Sequence, residues 1–236
     1  MSSCGINLSS RCQSIQRSSV FHRARSRPVV APARSARTQA AQQGPVVVVD
    51  NYDSFTYNLS QYLGDLKCEH IVIKNDEKTV EELRNMQPRG ILVSPGPGAP
   101  EESGISLDVC AKLGPHVPIF GVCMGHQCIG QAFGGDVIRA PKGLMHGMSS
   151  PVSHTGEGLL EDMPDPFEAA RYHSLVIDQE TCPDCLEVTA WLEDGTIMAV
   201  RHREYPHVQG VQFHPESIIT DNGLTICRNW VKSLSP

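Results

Sequence analysis

The stretch Val117-Pro-Ile-Phe-Gly-Val-Cys-Met-Gly-His-Gln127 carries the clearest structural signal in the chain. Apolar residues up to Val122 predict a buried strand, and the residues from His126 to Phe133 predict a helix. Between them Cys123 has a glycine two positions away on either side, which is the form of a nucleophile elbow. Such a turn lifts a side chain out of the carboxyl end of a strand, where open α/β folds place their sites. The pattern predicts a reactive thiol, although a small buried structural cysteine would show the same spacing.

The residues before this elbow alternate between strand and helix patterns. Val46-Val-Val-Val49 is a β-branched run typical of a strand buried on both faces, and further strands are predicted at 70–73 and 90–93. A polar turn leads into a helix that ends near Leu63, with Asp53 or Ser54 as the predicted N-cap. Thr79-Val-Glu-Glu82 is a capping box that opens a second helix, and a third is predicted from 105 to 113. This alternation predicts a parallel sheet covered by helices.

After Asp136 the segments become short and alternating. Leu186–Trp191 and Ile197–Val200 read as two strands, with Asp194-Gly195 as the hairpin turn between them. A last strand, 210–213, and a closing helix, 224–234, complete the chain. The predicted fold class is therefore α/β, with a mostly parallel central sheet flanked by helices and an added antiparallel section.

Two segments could supply partners for the thiol. His214-Pro-Glu216 follows the strand that ends at Phe213, and in an extended chain residues two apart project to the same side, so the carboxylate could orient the imidazole. The loop Pro95-Gly-Pro-Gly98 leaves another strand at the same sheet edge. The amide groups of Gly98 and Met124 are candidates for binding a developing oxyanion. Each segment has a plain structural explanation when taken alone, but together they indicate a thiol-based acyl-transfer site.

The charge of the chain is divided unevenly. Seven of the 20 Lys and Arg residues precede Gly44, and all 26 Asp and Glu residues follow it. Residues 1–43 are rich in Ser, Arg and Ala, which predicts a disordered plastid transit peptide, with a globular domain at 44–236. The strongly acidic remainder argues against nucleic acid as a partner. The absence of an apolar run of transmembrane length argues against a membrane protein.

The cysteine and histidine residues outside the elbow are predicted to bind no metal. Cys182-Pro-Asp-Cys185 has the spacing of a zinc or redox pair, but no second pair accompanies it, and two incidental thiols in a loop explain it better. His146 and His154 have no acid or cysteine nearby in sequence to complete a ligand set.

The elbow stretch and Gln212-Phe-His-Pro-Glu-Ser217 resemble the class I (triad) glutamine amidotransferases, and the resemblance covers roughly Pro45 to Leu234. It implies that Cys123 attacks the carboxamide of L-glutamine, that His214 is general base and acid, and that Glu216 orients the imidazole. It also implies an oxyanion region and a glutamine site, which comprise Gly96, Pro97, Gly98, Met124, Gln127, Ser174 and Leu175.

Other motifs bear on the subfamily. Asp50-Asn-Tyr-Asp-Ser-Phe-Thr-Tyr-Asn58, Leu144-Met-His-Gly147 and Arg171-Tyr-His-Ser174 look like those of anthranilate synthase and aminodeoxychorismate synthase glutaminases. Glu187-Val-Thr-Ala-Trp191 is similar to plant and algal anthranilate synthase β subunits. This resemblance implies a plastid stromal subunit without a cofactor, paired with a chorismate-binding component I (α) subunit that needs Mg²⁺.

Alternatives remain open from the sequence. The partner could be aminodeoxychorismate synthase, or the chain could act alone as a γ-glutamyl cysteine hydrolase. The 51–55 turn and the 142–148 loop are predicted either to contact the partner or to brace the fold.

Overall fold

A computed structural model describes residues 44–234, so the predicted leader, residues 1–43, lies outside the described part of the chain. The first half contains β1 (Gly44–Asp50), α1 (Thr56–Asp65), β2 (His70–Lys74), α2 (Val80–Asn85), β3 (Pro88–Val93), α3 (Ser106–Leu113), β4 (Ile119–Val122) and α4 (Met124–Ala132). The second half contains β5 (Val137–Arg139), β6 (Met148–His154), β7 (Phe167–Arg171), β8 (Leu175–Ile177), β9 (Leu186–Trp191), β10 (Ile197–His202), β11 (Val208–Val211) and α5 (Gly223–Ser233). Among these helices, none combines the length and apolar character needed to cross a bilayer.

Most strands of the described range belong to one sheet, in the order β2-β1-β3-β4-β11-β10-β9-β6-β7. The strands from β2 to β11 in this order run parallel to one another. From β11 onward each neighbour is antiparallel to the one before. A separate antiparallel pair joins β5 to β8. The predicted fold class, a helix-flanked parallel sheet with an added antiparallel section, is confirmed.

Strand β1 shows why the sequence specifies an interior strand of this sheet. Its four consecutive valines are fully buried. Val46 and Val48 pack into one hydrophobic cluster, and Val47 and Val49 pack into another on the opposite face. Side chains alternate across a strand, so a strand that is covered by helices on both faces needs apolar residues at every position. Each buried valine contributes roughly 1.5–3 kcal/mol relative to an exposed one.

The start of α1 differs from the prediction. The helix begins at Thr56, and Phe55 occupies the cap position without a side-chain cap hydrogen bond. Asp53 Oδ1 accepts a hydrogen bond from the amide of Phe55 at 2.8 Å, one residue too early to cap the helix. Asp50 Oδ1 accepts the amide of Asp53 and the hydroxyl of Thr56 at 3.2 and 3.0 Å. The N-cap prediction was wrong because the polar groups of this turn bind one another. At α2 the predicted capping box of Thr79 and Glu82 is confirmed.

The antiparallel section was predicted only in part. The hairpin of β9 and β10 is confirmed, with Gly195 at φ +83° in the connecting turn. Strands β5, β6, β7 and β8 were not predicted. The first and last of these contain three residues each, and β6 (Met148-Ser-Ser-Pro-Val-Ser-His154) lacks an apolar alternation, with two of its seven residues buried. Their pairing depends on neighbouring strands rather than on local pattern.

The carboxyl ends of four parallel strands meet at one edge of the sheet. The register pairs Val49 with Val93, Val93 with Gly121, and Val122 with Val211. The segments that follow β1, β3, β4 and β11 therefore leave the sheet side by side. This edge holds the residues that the sequence singled out.

Candidate active site

Cys123 occupies a strained turn between β4 and α4. Its backbone has φ +51° and ψ −99°, an uncommon conformation for a residue with a side chain. A β-carbon added at Gly121 would lie 2.4 Å from the carbonyl group of Gly125, and one added at Gly125 would lie 2.3 Å from the carbonyl oxygen of Val93. Both glycines are therefore required by close backbone packing, as predicted for an elbow. The Cys123 amide donates to the carbonyl of Val211 at 2.8 Å, which ties the turn to β11.

His214 and Glu216 lie beside this turn and contact each other. His214 Nδ1 and Glu216 Oε1 are 2.7 Å apart, and both side chains are buried. The prediction that an extended backbone aligns them was wrong. Strand β11 ends at Val211, and the amide of Ser217 donates to the carbonyl of His214 at 3.2 Å, which closes a turn with Pro215 as its second residue. Proline fixes φ at the value that this position of a turn requires.

The His214 turn is also anchored to the antiparallel section. The amide of His214 donates to the carbonyl of Ala170 in β7 at 3.1 Å. The Thr220 hydroxyl donates to the carbonyl of His214 at 2.6 Å and accepts the amide of Ala170 at 3.0 Å. The imidazole is therefore positioned by β7 as well as by its own loop.

The electrostatic surroundings of His214 favour its charged form. Burial alone would lower the pKa of His214, but hydrogen bonding to Cys123 and to Glu216, together with the charges of those groups, raises this pKa well above its ordinary value. The sulfur of Cys123 and the imidazole are therefore neighbours across 91 positions of sequence. With Nδ1 engaged by the carboxylate, His214 Nε2 is the nitrogen left to exchange a proton with the thiol or with a substrate.

Two aromatic residues that the sequence did not single out enclose the imidazole. The rings of Phe55 and Tyr172 approach the His214 ring edge to face, with centroid distances of 5.7 and 5.1 Å. They also contact each other at 5.4 Å. Both belong to motifs that were quoted for the subfamily, but no spacing rule connects them to residue 214. They restrict the ring's rotation and limit its contact with water.

The loop predicted to bind an oxyanion lies against the elbow. A β-carbon added at Gly96 would lie 2.5 Å from Cβ of Asn51 and 3.1 Å from the sulfur of Met124. Gly98 has φ +84°, and a β-carbon there would meet the carboxylate of Glu102 at 2.4 Å. The structure thus places 96–98 beside the residue that begins α4. First-turn amides of a helix have no acceptor within the helix, which leaves the amide of Met124 for a ligand.

Asn51 braces this loop from behind. Its amide and side-chain nitrogen donate to Ser94 Oγ and to the carbonyl of Ser94, both at 2.9 Å. Its side-chain oxygen accepts Asn75 Nδ2 at 3.0 Å and the Ser106 hydroxyl at 2.6 Å. Of the two roles predicted for the 51–55 turn, bracing is the one that these buried contacts support for Asn51.

Gln127, Ser174 and Leu175 come together on the other side of the elbow. Gln127 Nε2 donates to the carbonyl of Leu175 at 3.0 Å. That carbonyl also contacts His173 Nδ1 at 3.0 Å, and the carbonyl of Ser174 accepts the amide of Ala140 at 2.8 Å. Because these carbonyls are already engaged, backbone amides are the groups of 174–175 best placed to meet a substrate.

The two histidines that the sequence raised as possible metal ligands have local protein partners. The His146 ring contacts Tyr172 edge to face at 5.6 Å, and His154 Nε2 lies 2.8 Å from the carbonyl of Pro164. Cys182 and Cys185 are unpaired and half-buried in the loop before β9. Burial raises the pKa of the Cys182 thiol, which makes it a poor nucleophile.

The site as a whole has the parts of a cysteine acyl-transfer centre. A thiol at an elbow, an imidazole beside it and a carboxylate behind the imidazole are the arrangement of nucleophile, base and orienting group. Comparisons with known proteins agree with this class. A sequence model of the glutamine amidotransferase class-I family matches residues 47–234.

Named relatives cover most of the chain. "Anthranilate synthase beta subunit 1, chloroplastic" of Arabidopsis thaliana is 62% identical over 195 residues, which are 81% of this chain and 71% of that protein. "Aminodeoxychorismate/anthranilate synthase component 2" of Bacillus subtilis (strain 168) is 49% identical over 188 residues, which are 80% of this chain and 96% of that protein. The crystal structure of a putative GMP synthase subunit from Thermoplasma acidophilum has a TM-score of 0.69 at 25% identity, and the match covers 81% of this chain and 94% of that one. The chain belongs to the class-I glutamine amidotransferase family and, within it, to the group of the anthranilate synthase β subunits.

Proposed function

We propose that this protein is the glutaminase subunit of anthranilate synthase, which hydrolyses L-glutamine and delivers ammonia to a chorismate-binding subunit that makes anthranilate for tryptophan biosynthesis. The observation that carries the proposal is the buried pair of His214 Nδ1 and Glu216 Oε1 at 2.7 Å beside the Cys123 elbow, in a chain 62% identical to a plant anthranilate synthase β subunit. The higher identity to this relative favours anthranilate synthase over aminodeoxychorismate synthase as the holoenzyme.

The reaction follows from the proposed roles of these side chains. The Cys123 thiolate adds to the carboxamide carbon of glutamine, and the electron pair of the carbonyl moves to its oxygen, where the amides of Met124 and Gly98 stabilise the negative charge. Protonated His214 gives its proton to the nitrogen as the C–N bond breaks, which releases ammonia and leaves a glutamyl thioester. His214 then takes a proton from water, which hydrolyses the thioester to glutamate. Glu216 keeps the imidazole in the tautomer that both steps need.

We propose that the substrate is held between Gly96–Gly98 and the Gln127 side, with Gln127, Ser174 and Leu175 at its amino-acid end. The hydrogen bond from Gln127 to the carbonyl of Leu175 supports this, because it joins two of the three residues proposed to bind that end. No cofactor is assigned to this subunit, and the chorismate-binding partner is the component expected to need Mg²⁺. The plastid stroma is the proposed compartment, supported by the leader composition and by the chloroplastic relative.

Exposed apolar residues around the opening of the site support the proposal that a partner protein binds there. Ile218, two residues after Glu216, is fully exposed, and Leu144 and Met148 are 71% and 56% exposed. Met148 pairs with Arg171 next to Tyr172, whose ring contacts His214, so the 142–148 loop borders the site. Large exposed apolar side chains beside a polar site are typical of a surface that another protein covers. Coverage by the chorismate-binding subunit would keep ammonia from escaping to solvent.

Replacement of the nucleophile tests the proposal. In the reconstituted holoenzyme, Cys123→Ser is expected to abolish glutamine-dependent anthranilate synthesis and to leave synthesis from added ammonia intact. Cys128→Ala, at another buried thiol on α4, is the matched control and is expected to keep both activities. Equal loss of both activities in Cys123→Ser would show that Cys123 is a structural residue.

Two other results would favour the alternative functions. One is recovery of only aminodeoxychorismate synthase by co-purification, and the other is hydrolysis of γ-glutamyl peptides without a partner.

A further inference from the structure

A glutamine side chain lies against the sulfur of Cys123. Gln212 follows β11, is fully buried, and directs its side-chain nitrogen to Cys123 Sγ at 3.6 Å. Its side-chain oxygen accepts a hydrogen bond from Gln127 Nε2 at 3.2 Å. We propose that Gln212 is a further catalytic residue, whose amide donates a hydrogen bond that stabilises the Cys123 thiolate. This proposal rests on Cys123 being the nucleophile of the proposed function.

The direction of the Gln212 amide is fixed by its neighbours. The carbonyl of Leu175 can only accept hydrogen bonds, so Gln127 must present its NH₂ group to it. The second hydrogen of that NH₂ group then donates to Gln212 Oε1, which turns the NH₂ group of Gln212 toward the sulfur. The reverse orientation would place two NH₂ groups against each other and an oxygen against the thiolate. The network therefore holds a donor at Cys123 and excludes an acceptor there.

The same carbonyl is held from its other side by a histidine with a fixed tautomer. Arg171 Nε can only donate, and it contacts His173 Nε2 at 3.1 Å, so that nitrogen is the acceptor. His173 Nδ1 must then carry the proton and donate to the carbonyl of Leu175 at 3.0 Å. A continuous series of hydrogen bonds thus runs from Arg171 through Leu175 to Cys123. Each member of the series is buried or half-buried, which limits competition from water.

The nearby histidines add no charge to this cluster. Burial lowers the pKa of His126 to about 3, and burial together with the charge of Arg171 lowers the pKa of His173 to about 4. Both rings are therefore neutral at physiological pH. Among residues 44–234, Gln212 donates to the sulfur at 3.6 Å, and the His214 imidazole lies beside it. His214 gives up its proton during the reaction, whereas the amide of Gln212 stays a donor throughout.

Gln212 would act twice in the cycle. Its hydrogen bond first stabilises negative charge on the sulfur as Cys123 attacks glutamine. When water hydrolyses the thioester, the C–S bond breaks and its electron pair returns to sulfur, where the same hydrogen bond stabilises the leaving thiolate.

Alkylation by iodoacetamide tests this role without any substrate. Gln212→Met removes the donor at similar side-chain length, and Gln212→Asn keeps an amide that is one methylene too short to reach the sulfur. At neutral pH both variants are expected to slow alkylation of Cys123 by about tenfold, the effect of losing one hydrogen bond to a charged group. Glutaminase kcat of the holoenzyme should fall by a similar factor.

Peptide mass spectrometry of the same samples supplies the internal control. Cys110 and Cys128 are fully buried, so their continued protection shows that the fold is intact. Gln209→Met is the matched variant on β11. Its side chain accepts the amide of Leu159 at 3.2 Å, away from the sulfur, and its Cys123 alkylation should match the wild-type rate.

The proposal is overturned if Cys123 alkylation in folded Gln212→Met and Gln212→Asn stays within about twofold of wild type. A rise in KM for glutamine alone would then show that Gln212 only holds Gln127. Failure of the proposed function is a separate result. In that case wild-type protein with its partner would hydrolyse no glutamine, whereas the alkylation rates would still test the role of Gln212.

Discussion

Replacing Gly121 by alanine is expected to displace the elbow without removing any reactive side chain. A β-carbon at this position would lie 2.4 Å from the carbonyl carbon and oxygen of Gly125 and 2.7 Å from the amide nitrogen of His126. Ordinary van der Waals contact begins near 3.4 Å. The start of α4 and the end of β4 must therefore separate by about 1 Å, because backbone atoms cannot rotate away as a side chain can.

This displacement sets the size of both expected effects. A misplacement of about 1 Å at a reacting group can reduce the rate about 100-fold, so glutaminase kcat should fall by roughly that factor. Inserting a methyl group into a closely packed region costs about 1–3 kcal/mol. For a domain of this size each kcal/mol lowers the melting temperature by about 2–4 °C, so a loss of about 2–12 °C is expected. Steady-state ammonia release in the holoenzyme and thermal unfolding of the isolated subunit measure the two effects.

Gly64→Ala is the matched control in α1. A β-carbon at Gly64 meets no atom within 4 Å, and alanine in a helix is more stable than glycine by about 0.5–1 kcal/mol. This variant should therefore melt slightly higher and retain full activity. Wild-type turnover in Gly121→Ala would refute the argument, because it would mean that the elbow tolerates a shift of β4 against α4.

Two further predictions concern the base and the partner surface. Glu216→Gln keeps the shape of the side chain but removes the negative charge that faces His214. Glutaminase kcat should fall by about tenfold or more, because charge-assisted hydrogen bonds are roughly twice as strong as neutral ones. Because the pKa of His214 is raised in the folded state, the stability gained from its charged form is complete below the unfolded pKa of about 6.5 and is lost as pH rises through the folded value. Urea unfolding should thus show the largest cost of Glu216→Gln in acidic solution, and a cost independent of pH would contradict this assignment. Ile218→Asp should leave the melting temperature unchanged because the side chain is fully exposed, yet weaken association with the chorismate-binding subunit at least about tenfold. Ile71→Asp on the edge strand β2 is its control, and unchanged binding by Ile218→Asp would remove this surface from the interface.

The sequence predicted well where local pattern and tertiary environment agree. The valine run of β1 and the capping box of α2 were assigned correctly because a strand covered on both faces and a helix start each leave a local signature. The start of α1 was misplaced because Asp53 bonds to Phe55, so a favourable capping residue was used in a turn instead. Strand β6 was missed because its polar, proline-containing sequence becomes a strand only between β9 and β7, and β7 was missed with it because β7 pairs with β6.

The features of the site also divide into those that local sequence predicts and those that only the fold brings together. The elbow could be found from sequence because backbone crowding demands glycines at fixed spacing around Cys123. The aromatic enclosure of His214 and the contact of Gln212 with the sulfur could not, since they join residues that lie 42 to 159 positions apart and no periodicity links them. Even the pairing of His214 with Glu216 was predicted for the wrong reason, because a turn rather than an extended strand brings the two together.

Sequence alone therefore determined the class of fold, the elbow and the chemical types at the site, because these depend on residue size, periodicity and spacing within a few positions. Only the tertiary structure determined which groups touch the thiol and how each hydrogen bond is directed. Those properties depend on where parallel strands end side by side at one sheet edge, and that depends on strand order rather than on any local stretch of the chain.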